Sequence, residues 1–195
     1  MNVDFIGIYD NALSSDQCKE IISYMDASEL ERGGFGELGS IDASIKDCWE
    51  VKGIITDGSA VSNSILSVIQ SFTSVYREDY KSIDEISNWN VVNDYNLQKY
   101  EPGQAYHAVH CEASNIWSSP RVLAWMIYLN TIEDGGGTSF PSYDKVTDAV
   151  EGRFLIWPAY WTHVHKGVVS PTETKYIATG WYGFLNKKDG WKTLP

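Results

Sequence analysis

RVLAWMIYL, residues 121–129, decides how this chain is read. It is one of four short β-like segments, with NLQKY (96–100), GRFLIWP (152–158) and KYIATGWYGF (175–184), and Gly, Pro, Asn and Asp separate them. The pattern before residue 91 is different. Residues 4–9 read as a short strand. Ser14 with Gln17 three positions on has the form of a capping box, and Leu13 is placed to staple against Cys18. A helix starting there carries Ile21, Ile22 and Met25 on its apolar face. ERGGFGELGS (31–40) is dominated by Gly and polar residues and reads as a loop. Ile65, Leu66, Ile69, Phe72, Val75 and Tyr76 recur at helical spacing, which predicts a second helix between 59 and 80 with that stripe in the core. Helices followed by a run of strands give a mainly β fold, a β-sandwich or jelly roll with helical support.

The bulk numbers narrow the function classes. A length of 195 residues fits one domain spanning 1–195, with helical support mainly over 1–90 and the β core mainly over 91–185. With 43% hydrophobic and 21% charged residues, the chain has the composition of a folded globular protein and not of a disordered one. A net charge of -11 and no cluster of Lys or Arg argue against nucleic acid as a partner, because gripping a phosphate backbone needs a basic face. No apolar run approaches the ~20 residues of a membrane span. MNVDFIGIYD carries Asp4 and Asp10 and lacks the basic start and long apolar run of a signal peptide. Three cysteines, Cys18, Cys48 and Cys111, in no repeated spacing, point to a reducing compartment and not to a disulfide scaffold. The expectation is a soluble cytoplasmic protein with no membrane partner.

The chemistry is in the histidines. All 4 fall in two tight pairs, His107 with His110 and His163 with His165. A lone histidine is ordinarily a hydrogen-bonded structural or surface residue, and the pairing beside β segments weakens that reading. His110-Cys111-Glu112 is an H-x-E, and on a strand residues i and i+2 share a face, so an imidazole and a carboxylate converge while Cys111 points away. A third ligand must come from elsewhere. His163 and His165 share a face if their segment is extended, and both are then within reach. Two histidines and one carboxylate on one face leave positions open for substrate and oxygen, the arrangement of non-haem Fe(II) oxygenases. Lys175 lies ten positions beyond His165, and an ammonium buried in a barrel needs an anion.

Taken together, these segments resemble the prolyl 4-hydroxylase-like branch of the 2-oxoglutarate/Fe(II)-dependent dioxygenases. YDNALSSDQCKEII (9–22) resembles that family's strand–turn–helix opening. QKYEPGQAYHAVHCE (98–112) is similar to its Tyr-x-x-Gly-x-x-Tyr approach to the first ligands. RVLAWMIYLNTIEDGGGTSFP (121–141) is similar to its strand pair and Gly-Gly-x-Thr-x-Phe-Pro turn, and 152–181 to its distal segment of His, then Lys ten on, then Trp. The resemblance implies a double-stranded β-helix (jelly-roll) core. It implies Fe(II) on His110, Glu112 and His165, the spacing to Lys175 favouring His165 over His163. It implies Lys175 on the distal carboxylate of 2-oxoglutarate, with Tyr100 and Tyr106 lining the cosubstrate pocket and Trp181 beside the substrate. Gly135-Gly136-Gly137-Thr138 is implied as a structural turn. The cofactors implied are Fe(II), 2-oxoglutarate and O2, with ascorbate as an optional reductant. The implied reaction is hydroxylation of a C–H bond with release of succinate and CO2, on a peptide, protein or small molecule, peptidyl proline being the family's best-known target.

Three departures stand out. Glu112 replaces the usual Asp, which sets the backbone one methylene further from the metal. Tyr100 precedes His110 by ten residues where nine is commoner. Ala124 stands where relatives often carry a threonine that bonds the cosubstrate, a contact worth roughly 1 kcal/mol. Two other readings compete: a cupin-type metalloenzyme that uses no 2-oxo acid and gives Lys175 no role, and a non-catalytic jelly roll.

Overall fold

The computed structural model describes residues 3–185. In chain order its elements are β1 (Gly7–Tyr9), helix α1 (Ser15–Ala27), β2 (Glu31–Arg32), β3 (Trp49–Ile54), helix α2 (Ala60–Asp79) and β4 (Trp89–Tyr100). There follow β5 (Arg121–Tyr128), β6 (Thr138–Phe140), β7 (Lys145–Thr147), β8 (Phe154–Pro158), β9 (Lys166–Gly167) and β10 (Lys175–Phe184). Among the described residues a seven-stranded sheet runs β1-β8-β5-β10-β4-β3-β2, and a three-stranded sheet runs β7-β6-β9. The pairings are antiparallel throughout. This is a jelly roll with helical support on one face of its larger sheet.

The near-unbroken apolar run of β5 follows from burial on both sides. Leu123, Trp125 and Ile127 pack with Ile21, Met25, Ile65 and Ile69 of the helices. Ala124, Met126 and Tyr128 alternate to the other face, with Phe140, Leu155, Trp157 and Ile177. Each fully buried side chain of this size contributes roughly 1.5–3 kcal/mol relative to exposure. α1 starts on the capping box read from the sequence: Ser14 Oγ accepts from the Gln17 backbone and Gln17 Oε1 accepts from the Ser14 backbone. In α2 the stripe holds at Ile65, Ile69 and Tyr76, but Val75 is an exposed residue, beyond the edge of the face that meets the sheet.

Several local expectations change. The strand expected over 4–9 is a strand only from Gly7. The loop expected over 31–40 contains β2 and a bridge between Phe35 and Ser40. β3 was not foreseen, and β4 starts at Trp89, seven residues before the expected 96. The H-x-E does not lie on a strand: His110 makes an isolated bridge to His165 in otherwise irregular chain. Nor is the 163–165 segment extended throughout, since His163 ends a 3-10 turn, Trp161–His163. The triple-glycine turn takes the backbone that only glycine adopts freely, with φ +84 at Gly135 and +72 at Gly136. A Cβ on Gly137 would come 2.1 Å from the Thr147 carbonyl oxygen, so β7 closes against bare backbone there. No described helix is long and apolar enough to cross a membrane.

Candidate active site

His110 and His165 are brought together by main chain. Each donates its N–H to the other's carbonyl, at 2.9 and 2.8 Å. Each ring then spends Nδ1 on a backbone carbonyl, His110 on Ala108 and His165 on His163, both at 3.0 Å. A carbonyl only accepts, so both Nδ1 atoms carry the proton and both Nε2 lone pairs remain for a ligand. Glu112 Oε1 lies 3.6 Å from His110 Nε2 and 3.4 Å from His165 Nε2. The three candidate ligand atoms fall within 4.8 Å of one another. Burial works to raise the Glu112 carboxyl, but His110 and His165, when their rings are protonated, outweigh it through hydrogen bonds and charge and hold it well below the usual range. Burial pushes the His165 imidazole down. Both shifts favour the forms that bind a metal, a carboxylate and a neutral imidazole.

The other carboxylate oxygen is occupied. Trp181 Nε1 donates to Glu112 Oε2 at 2.6 Å, and Arg121 Nη1 donates to it at 3.4 Å and to the Glu112 carbonyl at 3.3 Å. Arg121 lies over the rings of Trp181 and Trp117, at 3.7 and 4.9 Å. Tyr106 stacks on His110 with centroids 3.6 Å apart and planes 11° apart. Trp157 meets His165 edge-on at 5.0 Å. The ring contacts and the two Nδ1 bonds fix both imidazoles before any ligand arrives.

These groups open on a cavity of about 890 Å³, whose wall also holds Tyr100, Met126, Thr138, Ile177 and Lys175. Lys175 is 5% exposed, and among the described residues no carboxylate pairs with it. Its Nζ donates to the Gly136 carbonyl at 2.9 Å and lies 4.6 Å from the centre of the Tyr100 ring. The triple-glycine turn, expected to be structural, thus also supplies an acceptor to the cavity. Burial pushes the Lys175 ammonium down to about 8. A cationic end lacking an anion and a cluster of metal-binding groups in the same cavity suit a chelating dicarboxylate.

The structure brings Tyr100, Tyr106, His110, Glu112, His165, Lys175 and Trp181 to one cavity. His163 is left out: its Nε2 faces the Asp4 carbonyl at 2.8 Å and the Tyr143 hydroxyl at 3.0 Å, and only its own carbonyl reaches His165. His107 and Cys111 are outside the ligand cluster. Ala124 is buried in a row between Trp157 and Trp181 and offers no polar atom. Sequence reasoning passed over Arg121, and it passed over Lys46, Glu50 and Gln98 on the same cavity wall.

Residues 95–183 match the family described as the 2OG-Fe(II) oxygenase superfamily. The match spans 89 of the 195 residues, and together with the fold it supports a 2-oxoglutarate/Fe(II) oxygenase. The oxygenase is thereby an enzyme dependent on Fe(II), 2-oxoglutarate and O2, and the reading without a 2-oxo acid falls away. Its fold is similar to three solved prolyl hydroxylases. One is the viral collagen prolyl hydroxylase of Paramecium bursaria Chlorella virus-1 in complex with 2OG, at 17% identity and TM-score 0.70, covering 93% of this chain and 97% of that one. A second is a Pseudomonas putida prolyl-4-hydroxylase, at 15% identity and TM-score 0.69, covering 94% and 95%. The third is a Trichoplax adhaerens prolyl hydroxylase in complex with a hypoxia inducible factor oxygen degradation domain peptide fragment, at 18% identity and TM-score 0.70, covering 99% and 89%. At these identities the likeness is one of fold. No curated protein sequence matches the oxygenase significantly.

Proposed function

We propose that the oxygenase hydroxylates a C–H bond, with Fe(II) held by His110, Glu112 and His165 and 2-oxoglutarate anchored by Lys175. The observation that carries this reading is the buried Lys175, paired with no carboxylate among the described residues, in the same cavity as two imidazoles and a carboxylate. When bound, the iron and the 2-oxo acid together supply the oxidising chemistry, with succinate and CO2 as products. The chain's own residues do the rest. Lys175 and the Tyr100 ring select a dicarboxylate by charge and length. Tyr106 and Trp157 hold the imidazole planes, and the apolar wall of Met126, Ile177 and Trp157 keeps water from the reacting centre. Trp181 and Arg121 turn Glu112 so that one oxygen faces the imidazoles, and they present a flat ring and a cation to the substrate.

A prolyl residue of a peptide is the substrate proposed first, because Trp181 offers a ring face of that size and the structural neighbours are named as prolyl hydroxylases. A cytoplasmic setting belongs to the same proposal and is supported by Cys18, Cys48 and Cys111 all being free thiols. The test is to add Fe(II) and then 2-oxoglutarate to the protein without oxygen and record the visible spectrum. A metal-to-ligand charge-transfer band is expected, and prolyl peptides added with oxygen should raise succinate release above the peptide-free rate. Folded, iron-loaded protein with no band would overturn the site assignment. A band with no stimulation by prolyl peptides would overturn only the substrate.

The Lys175 shift adds a pH signature. An ammonium that loses its proton near pH 8 no longer attracts an anion above that value. The apparent Kd for 2-oxoglutarate should therefore be flat below about pH 8 and rise by up to tenfold per pH unit above it, because anion binding and lysine protonation are linked. Titrating the band from pH 6.5 to 9.5 measures this, and a Kd that stays constant to pH 9.5 contradicts it.

A further inference from the structure

The proposed chemistry leaves a buried ion pair in the cavity wall without a task. Lys46 is 5% exposed and Glu50 is 8% exposed, and Lys46 Nζ donates to Glu50 Oε2 at 2.8 Å. The pair is the middle of a longer row. From the cosubstrate end, the Tyr100 hydroxyl donates to Gln98 Oε1 at 2.8 Å, and Gln98 Nε2 donates to Glu50 Oε2 at 3.0 Å. At the other end, Lys46 Nζ donates to the Gly34 carbonyl at 2.8 Å. Gly34 opens the glycine-rich loop that turns back through the paired backbone bonds of Phe35 and Ser40 and lines the cavity mouth. Lys46 is tied to the metal side as well, because its backbone bridges Tyr106, the ring stacked on His110.

Burying two charges is expensive, and an apolar pair in the same space commonly stabilises a fold as well or better. What an apolar pair cannot do is hold a carbonyl at one end and orient a hydroxyl at the other. Glu50 and Gln98 are direct partners in the β3–β4 register, so the row crosses two strands without a gap. We infer that Lys46, Glu50 and Gln98 are positioning residues that couple the glycine-rich loop, residues 33–40, to the occupancy of the cosubstrate end. The inference rests on the proposed role of Lys175 and Tyr100. A dicarboxylate on Lys175 fixes the Tyr100 ring beneath the ammonium. Gln98, Glu50 and Lys46 then lose freedom in turn, and holding the Gly34 carbonyl costs less further ordering. By reciprocity, a loop held shut strengthens cosubstrate binding by the same factor.

The test is amide hydrogen exchange of residues 31–46 in the full chain with Mn(II), with and without saturating 2-oxoglutarate, the 2-oxoglutarate Kd being measured on the same samples. Cosubstrate should slow exchange of the Phe35 and Ser40 amides at least threefold in the unaltered protein. Gln98→Leu and Lys46→Met, at 2-oxoglutarate concentrations that saturate each variant, should show no such slowing, and Lys46→Arg should restore it. If Gln98→Leu does not fold, the near-isosteric Glu50→Gln takes its place. Equal slowing in the variants overturns the coupling and leaves the site reading intact, as does no slowing in the unaltered protein with cosubstrate bound. Failure of 2-oxoglutarate to bind the unaltered protein overturns the site reading and the coupling with it.

Discussion

Glu112→Ala is expected to abolish the charge-transfer band and to weaken Fe(II) binding by more than about 100-fold, while leaving the fold intact. Replacing groups that merely support a metal ligand already costs about 10–100-fold, and a ligand should cost more. Geometry adds a second penalty. Glu112 is the only carboxylate in the cluster with the two imidazoles, and it neutralises Arg121, whose Nη1 lies 3.4 Å away. Without it a dication would have to settle beside an unpaired guanidinium. Glu112→Gln keeps the shape and an acceptor for Trp181 but not the charge, and should fall between the two. Anaerobic equilibrium dialysis against Fe(II) measures the loss. An unchanged affinity in Glu112→Ala would strike the residue from the ligand set.

Lys175→Met should move two quantities in opposite directions. The affinity for 2-oxoglutarate should fall about 100-fold, because a charge-assisted bond in a dry pocket contributes roughly 3 kcal/mol. The stability of the unliganded protein should hold or rise, because the variant removes a buried cation that, among the described residues, is paired with no carboxylate. A residue kept for packing would lower stability and leave affinity alone. Thermal unfolding and band titration on one preparation read both. A loss of stability with unchanged affinity would sink the cosubstrate role.

The parts of the fold that were legible in the sequence share a cause: one face or one spacing dominates. β10 was read with its observed limits because β-branched, apolar and aromatic residues dominate it between Lys175 and Phe184. α1 was readable from a cap whose two hydrogen bonds are local. β3 was missed because its cavity-facing side carries Glu50 and Lys52, and a polar face turned into a cavity looks the same in sequence as one turned to water. The histidine pair was readable as chemistry but not as geometry. An H-x-E on a strand predicts the convergence of His110 and Glu112 for the wrong reason, since that segment is irregular, and a bridge across the chain sets His110 beside His165. Arg121 gave no sign because its role depends on Trp181 and Glu112, sixty and nine positions away.

That bridge between His110 and His165 bears on how the protein meets its ion. The distance between the two rings is inherited from a pair of amide bonds that form with the fold, and is not a compromise struck around a guest. Folding and loading are therefore expected to be separable: the ion should be removable by a chelator with the fold retained.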